Sequence, residues 1–342
     1  MKLLVTGGCG FVGSNLVAEG IRRGWPVTIF DNLYRLGGMQ NLEWLRAQGT
    51  FEYIHGDIRN SADVARAIEA VKPEGIFHLA GQVAMTTSLA DPRMDFEVNA
   101  VGSHNLLEAV RRHVPAAAVL YTSTNKVYGD LEQFQYRETP TRFECVDRPR
   151  GFDESTPLDF QSPYGCSKGA ADQYMRDYAR VFGLRTAVFR HSAMYGGQQH
   201  ATFDQGWVGW FCQKGLEIRR AGGSGEVSIS GTGKQVRDVL HASDVVSLYF
   251  AALERIDAVR GEAFNIGGGV VNSLSLMELF ALLESVLGIK VAVRRGPQRL
   301  GDQRVFIADN AKAEKLLDWR PRMGYEQGIG QFLDWLARNG KY

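Results

Sequence analysis

No run of apolar residues in this sequence approaches the ~18 needed to span a bilayer. No two cysteines form a CxxC pair. Cys9, Cys145, Cys166 and Cys212 stand far apart, which argues against a zinc site or a disulfide framework and for reduced thiols. No metal centre is expected. The chain also lacks any excess of charge. Lys plus Arg number 39 and Asp plus Glu 38, for a net charge of +1. That removes a broad electrostatic reason to bind nucleic acid or an anionic membrane. Any anion must be held by a local site. The opening residues, MKLLVTGG, enter a strand and a glycine turn at once, without the longer apolar stretch of an export signal. The cytoplasm is therefore the expected compartment.

What is present is ordinary globular composition, with 44% hydrophobic and 23% charged residues over 342 positions. Glycine is abundant, at 39 residues, and clusters between apolar runs as turn residues do. Lys2–Thr6, Pro26–Asp31, Phe51–His55, Gly75–Leu79, Ala118–Thr122 and Arg185–Phe189 read as strands. Phe11–Arg23, Gly38–Ala47, Ser61–Val71, Phe96–Val114 and Tyr164–Phe182 read as helices between them. This alternation predicts an α/β fold, a doubly wound parallel sheet of Rossmann type with helices on both faces. After Arg190 the pattern weakens, and 195–233 shows little periodicity. Val239–Leu253 reads as a helix and Ala263–Ile266 as a strand. Ser275–Leu287, capped by Ser273 or Ser275, and Tyr325–Arg338 read as helices. The expected division is a nucleotide-binding domain over 1–192 with a return segment near 235–266. A smaller substrate-binding lobe is expected from 193–234 and 267–342.

Gly7, Gly8, Gly10 and Gly13 follow the first strand and open the first helix. Glycine there permits a sharp turn and lets a pyrophosphate approach free amides at a helix N-terminus. Asp31 ends the second strand, near the ~20-residue spacing of a ribose-binding carboxylate. A carboxylate there accepts ribose hydroxyls and repels a 2′-phosphate, so NAD is preferred over NADP. Arg35, four residues on, is the one cation close enough to favour a phosphate. Asp57 and Ile58 follow the third strand. Leu79, Ala80 and Gly81 follow the fourth, where open sheets bind ligands.

Tyr164 and Lys168 lie one turn apart on a predicted helix and share a face. A free tyrosine is only ~0.1% phenolate at neutral pH, and a neighbouring ammonium raises that fraction. Thr124, at the end of the fifth strand, can reach the same space.

The glycine run, GlyAspIle at 56–58, HisLeuAlaGly at 78–81, TyrGlyCysSerLys at 164–168 and ArgAspValLeuHis at 237–241 resemble the extended short-chain dehydrogenase/reductase family. That family contains the nucleotide-sugar epimerases and dehydratases. STNKVYGD at 123–130, Phe160–Lys168, DQGWVGWF at 204–211 and Gly233–His241 narrow the likeness. They resemble the members that invert C2 of a CDP-activated deoxyhexose, and 264–268 with 271–275 extends the match.

The resemblance implies Thr124, Tyr164 and Lys168 as catalytic residues and NAD as a retained cofactor. It implies transient oxidation of the sugar to a 2-ketone and reduction from the opposite face. It extends the cofactor site to Phe11, Val12, Asn32, Gln82, Asn99 and Thr122. On the substrate side it implies Asn125, His191, Trp207, Val208, Arg237, Arg299 and Asp302. Arginine's planar fork suits the phosphate oxygens of a nucleotide-diphosphate sugar.

Two departures from the family pattern matter. Ala193 stands where many relatives carry Asn, leaving His191 or Ser192 to compensate. Asn125 and Lys126 stand where 4,6-dehydratases carry Asp and Glu. An amide and an ammonium cannot supply the acid and base that elimination needs, so dehydration is disfavoured. An epimerase acting at C4, or on a UDP- or GDP-hexose, is the alternative. A net oxidoreductase or a non-enzymatic NAD sensor on the same fold is a more distant one. Relatives pack two helices per subunit into a dimer, which here implies 96–114 and 164–182 and a homodimer or homotetramer.

Overall fold

The computed structural model describes residues 1–297 and 301–340. Seven strands form the central sheet, in the spatial order 263–266, 185–191, 118–124, 75–78, 3–6, 27–31 and 52–55. Every neighbouring pair is parallel. The order reverses at Leu3–Thr6, so a crevice opens at the carboxyl ends of Leu3–Thr6 and Gly75–His78. Thr6, Asp31, His78, Thr124 and His191 all end strands on that edge.

Successive side chains along the first strand enter opposite cores, as a period of two requires. Leu3 and Val5 pack with Ile29, Phe77, Leu120 and Phe189, beneath the helices Phe11–Arg22 and Ala242–Glu254. Leu4 packs with Phe30, Ile76, Val119 and Val188, beneath Ser61–Val71, Gly102–His113 and Ser162–Phe182. Burial on both faces explains the nearly continuous apolar strands. A separate core gathers Val208, Phe211, Leu279, Leu283 and Phe332 from the later part of the chain.

Several elements differ from the sequence expectation. Val239–Leu253 is not one helix. Val236–His241 is a strand, paired with Ala193–Tyr195 and Ser273–Ser275, and the helix runs over Ala242–Glu254. Sheet pairing overrides a composition that suits either state. The helix expected from Phe96 starts at Pro92 behind the Asp91 cap and passes through a wider π turn at Glu97–Val101. The weakly periodic 195–233 contains a helix, Trp207–Arg220, and a strand, Ser224–Ser230, paired with Lys290–Gly296. A hairpin of Tyr136–Glu138 and Phe143–Cys145 was not foreseen. Ser275, not Ser273, caps Leu276–Leu287, in a reciprocal box with Glu278. Among the described residues, no helix is long and apolar enough to cross a membrane.

One polar contact ties the sheet to the longest helix. Arg190 clamps Asp172 with two hydrogen bonds of 2.8 Å, and the two side chains are 3% and 0% exposed. Ser123 donates to the same carboxylate at 2.8 Å, and Arg190 also donates to the Tyr128 hydroxyl at 2.9 Å. Removing one member of a buried pair strands the other's charge. Asp172→Ala should therefore cost about 3–5 kcal/mol in denaturant unfolding. A loss below about 1 kcal/mol, the scale of an exposed pair, would contradict this role.

Candidate active site

The carboxyl edge of the sheet opens into a cleft of about 420 Å³. Its floor at one end is the glycine turn. Gly7 has φ +71°, and a Cβ there would lie 2.7 Å from the Ala80 amide nitrogen. A Cβ on Gly13 would press into the backbone of Gly7 and Gly8. Glycine is thus required at both positions. Gly10 precedes the helix Phe11–Arg22 without a side-chain cap, leaving first-turn amides directed at the cleft.

Asp31 closes this end. Its carboxylate accepts from the Cys9 amide at 3.0 Å and the Leu33 amide at 2.7 Å. Burial pushes its pKa up, against those two hydrogen bonds. The remaining lone pairs suit hydroxyl donors. Asp57 is held by Arg59 at 2.7 Å and by Asn32 at 3.2 Å. Arg35 also lines the cleft, with the Asp204 carboxylate supporting its charge against burial. Bare glycine amides and an acceptor-only carboxylate fit the pyrophosphate and ribose of NAD.

At the other end stand Thr122, Thr124, Tyr164, Lys168 and His191. Helix Ser162–Phe182 packs against strand Ala118–Thr124, which brings Tyr164 and Lys168 to the strand end. Burial pushes the Tyr164 phenol up to about 12, with a hydrogen bond from Thr124 opposing and Asp95 adding. Lys168 is pushed down to about 7 by burial, with Asp95 and Asp172 opposing. Its ammonium bonds the Thr122 carbonyl and lies 4.3 Å from the centre of the Tyr121 ring. In this geometry the ammonium is bonded to the strand, and burial is the main influence on the phenol.

Four buried polar atoms on cleft residues have no partner among the described residues: Asn41 Oδ1, His191 Nδ1, Gln199 Oε1 and Trp207 Nε1. They are unused capacity for a polar ligand. His191 is fixed by Tyr249, whose hydroxyl lies 3.2 Å from Nε2. The Ser192 hydroxyl is spent on the Asp238 carbonyl at 3.1 Å. Of the two candidates to compensate for Ala193, His191 alone keeps a free polar atom.

The cleft wall includes Gly7, Gly10, Phe11, Val12, Gly13, Asp31, Asn32, Asp57, Ile58, Leu79, Ala80, Gln82, Thr122 and Trp207 from the sequence expectation. Five expected residues lie behind it. Asn99 brackets the Gln82 backbone, accepting from its amide at 2.9 Å and donating to its carbonyl at 3.0 Å. Asn125 donates to Gln303 at 3.0 Å. Val208 is buried in the later core. Arg237 and Asp302 pair with each other at 2.7 Å. Arg299 lies outside the described residues.

The segment 197–206 was not foreseen at the site. Asn15 donates to the Gly197 carbonyl at 3.0 Å and Asn41 to the Gln198 carbonyl at 3.1 Å. Asp204 accepts from Thr86 at 3.2 Å. The segment thereby crosses the cleft, and Gln198, Gln199 and His200 line it. Its sequence signals are the polar run GlnGlnHis, two glycines after a strand end, and the start of the DQGWVGWF stretch. No group of metal-ligating side chains occurs among the described residues.

A parallel sheet with a glycine turn, the Asp31 carboxylate and a Thr–Tyr–Lys set on one edge fits an NAD-dependent enzyme of Rossmann type. The sequence model of the family described as GDP-mannose 4,6 dehydratase matches residues 4–332. CDP-paratose 2-epimerase of Salmonella typhi is 59% identical over 98% of this chain and 99% of that protein. UDP-glucose 4-epimerase of Thermotoga maritima, solved with UDP-glucose, superimposes with a TM-score of 0.83 at 29% identity, covering 99% of both chains. UDP-glucose 4-epimerase of Thermus thermophilus, solved with NAD, gives 0.81 at 27% identity over 99% of this chain and 100% of that one. The chain belongs to this family of epimerases and dehydratases within the extended short-chain dehydrogenase/reductases, and its cofactor is NAD.

Two outcomes follow from this geometry. Asp31→Ala should weaken NAD binding by about tenfold or more, the worth of one or two hydrogen bonds to a charged group. Direct titration of NAD-stripped protein reads this, and unchanged affinity would remove Asp31 from the ribose site. Lys168 should also tilt the stability profile. Between its folded value near 7 and the ordinary 10.5, the unfolded chain binds a proton that the folded chain does not. Stability from this group therefore rises with pH across that window and is lost as pH falls below it. Lys168→Met should flatten that part of the melting-temperature profile.

Proposed function

We propose that the protein inverts C2 of a CDP-activated deoxyhexose, converting CDP-paratose to CDP-tyvelose. The observation that carries this reading is the 59% identity, end to end, with a CDP-paratose 2-epimerase. The pair Asn125 and Lys126 supports it, since it cannot perform the acid–base elimination of a dehydratase.

In this reading Tyr164 takes the proton from the C2 hydroxyl and returns it after inversion. Thr124 steadies that oxygen. Lys168 turns from the Thr122 carbonyl toward the nicotinamide ribose and lowers the phenol's pKa from its resting value near 12. Bound NAD supplies the hydride acceptor and, in its oxidised form, a positive charge. His191 and Trp207 offer unpartnered polar atoms to the sugar nucleotide, and Arg237 and Arg299 take its diphosphate. Asp302 takes a ribose hydroxyl, and Asn125 and Val208 border the substrate. The Asn15, Asn41 and Asp204 bonds hold segment 197–206 over the cleft, consistent with a cofactor kept between turnovers.

We further place the protein in the cytoplasm as a homodimer or homotetramer. Tyr174, Phe182 and Phe96 are about half exposed on the two long helices, and Tyr174 joins His104, Tyr178 and Phe182 in one aromatic cluster. Such a patch suits a helix-to-helix interface.

Proton NMR of the protein with CDP-paratose, without added NAD, tests the reaction. The C2-inverted sugar should appear with no build-up of NADH absorbance. Turnover of a UDP- or GDP-hexose alone would discard the assigned substrate. Tyr164→Phe should lower the rate by about 10²–10⁴, the usual worth of a general acid–base group, with NAD still bound. Full activity in that variant would remove Tyr164 from the chemistry.

A further inference from the structure

Lys126 lies two residues beyond Thr124 and is unused by the mechanism above. Its ammonium donates to the Gly301 carbonyl at 3.2 Å and lies 4.0 Å from the Asp302 carboxylate. No other hydrogen-bond acceptor meets it, which leaves two of its three N–H donors unfilled among the described residues. The side chain is 16% exposed. Asp302 is already bonded to Arg237 at 2.7 Å and to Gln235 at 3.2 Å. Two cations thus face one carboxylate beside the catalytic strand end. Gly301 abuts Met85, which opens the short helix whose Thr87 lines the cleft. The cluster lies behind the cleft wall and is tied to Thr124 through the Lys126 amide, which donates to the Thr124 hydroxyl at 3.2 Å.

The proposed chemistry gives this arrangement a use. In a nucleotide sugar the diphosphate is bonded through oxygen to C1. C2 is the neighbour of C1, whereas C4 lies across the ring. An enzyme that presents C2 to Tyr164 must hold the diphosphate closer to Thr124 and Tyr164 than one that presents C4. Lys126, two residues beyond Thr124, is the cation this reading assigns to that place.

We propose that Lys126 is a ligand for the diphosphate of the nucleotide sugar, shared with Arg237, and that it thereby helps present C2 to Tyr164. The inference rests on the C2 reading for its purpose but on the cluster's geometry for its ligand. Arrival of the diphosphate fills the two open N–H donors and relieves the crowding of two cations around Asp302. Burial pushes Lys126 down to about 8, with Arg237 adding to the fall and Asp302 and Asp130 opposing it. A bound dianion favours the ammonium.

The test is calorimetric titration of the NAD-loaded protein with CDP and, separately, with cytidine. Lys126→Met should weaken CDP by about 10- to 100-fold, the range of a charge-assisted contact. Cytidine affinity and melting temperature should stay unchanged. Lys126→Arg should restore most of the CDP affinity. Wild-type CDP affinity should fall above pH 8 as the ammonium is lost, and K126R should stay level there. CDP binding within twofold of wild type in K126M would overturn the proposal. So would an equal loss of CDP and cytidine, which would mark the Gly301 contact as purely structural. In turnover, kcat/KM for C2 inversion should fall in K126M at least as far as CDP affinity. A wild type that binds CDP yet leaves C2 of CDP-paratose intact would strike the epimerase reading, because CDP binding is read without turnover.

Discussion

The buried pair of Asp172 and Arg190 is the contact on which the reactive end of the cleft depends. Asp172 lies one turn beyond Lys168 on the helix that carries Tyr164. Arg190 lies beside His191 at the end of its strand. Ser123, between Thr122 and Thr124, donates to the same carboxylate. Three separate elements each place a cleft residue, and one carboxylate binds all three. The pair is costly to desolvate and gives little net stability against an apolar substitute. Its worth here is registry, since a slip of the helix by one residue would move both Tyr164 and Lys168 off the strand end. The network continues outward through Tyr128 to Asn265, and from Asn265 to the Phe152 carbonyl at 2.9 Å. The inserted segment between strand and helix is thus fixed to the last strand of the sheet.

The cofactor half of the cleft was legible because its chemistry is local. Gly7, Gly13 and Asp31 act within one turn, and each residue type follows from backbone space or acceptor count at that position. The Tyr164–Lys168 spacing was legible for the same reason. Their present geometry was not. Whether an ammonium faces a phenol or a carbonyl depends on Tyr121 and Thr122, which come from a distant strand. The substrate half was poorly legible. Segment 197–206 has no period because it is loop held by Asn15, Asn41, Thr86 and the helix that follows. The resemblance gave Arg237 as a diphosphate ligand, and the sequence held no sign of its pairing with Asp302, 65 residues away. The strand at Val236–His241 was hidden because its pairing partners, Ala193–Tyr195 and Ser273–Ser275, flank it from both directions along the chain.

These two halves differ in electrostatics as well as in legibility. The cofactor end presents backbone dipoles and the Asp31 carboxylate, held by two backbone amides rather than by a salt bridge. The substrate end balances its cations internally. Arg237 and Lys126 hold Asp302 between them, so that neither charge stands uncompensated beside a low-dielectric wall. In the diphosphate site proposed for Lys126 and Arg237, the incoming anion would compete with Asp302 for the same donors. Affinity there would be a difference between two anions, favouring the one that also fills the open donors of Lys126.

The two positions after Thr124 also decide which reactions the fold can run. A carboxyl and a carboxylate there would stand ready to protonate a leaving hydroxyl and remove a proton from the neighbouring carbon. Asn125 instead spends its amide on Gln303, and that glutamine returns a bond to the Gly129 carbonyl at 2.7 Å. The site is closed on that side by a neutral amide pair that transfers no protons. Lys126 carries charge but holds it at the edge of the cluster, bonded to a carbonyl. With no acid–base pair beside Thr124, a ketone formed at Tyr164 has no route to elimination. Its remaining course is to accept hydride again. Inversion then requires only that the ketone present its other face, and a diphosphate held at a fixed point gives the sugar an anchor about which to turn.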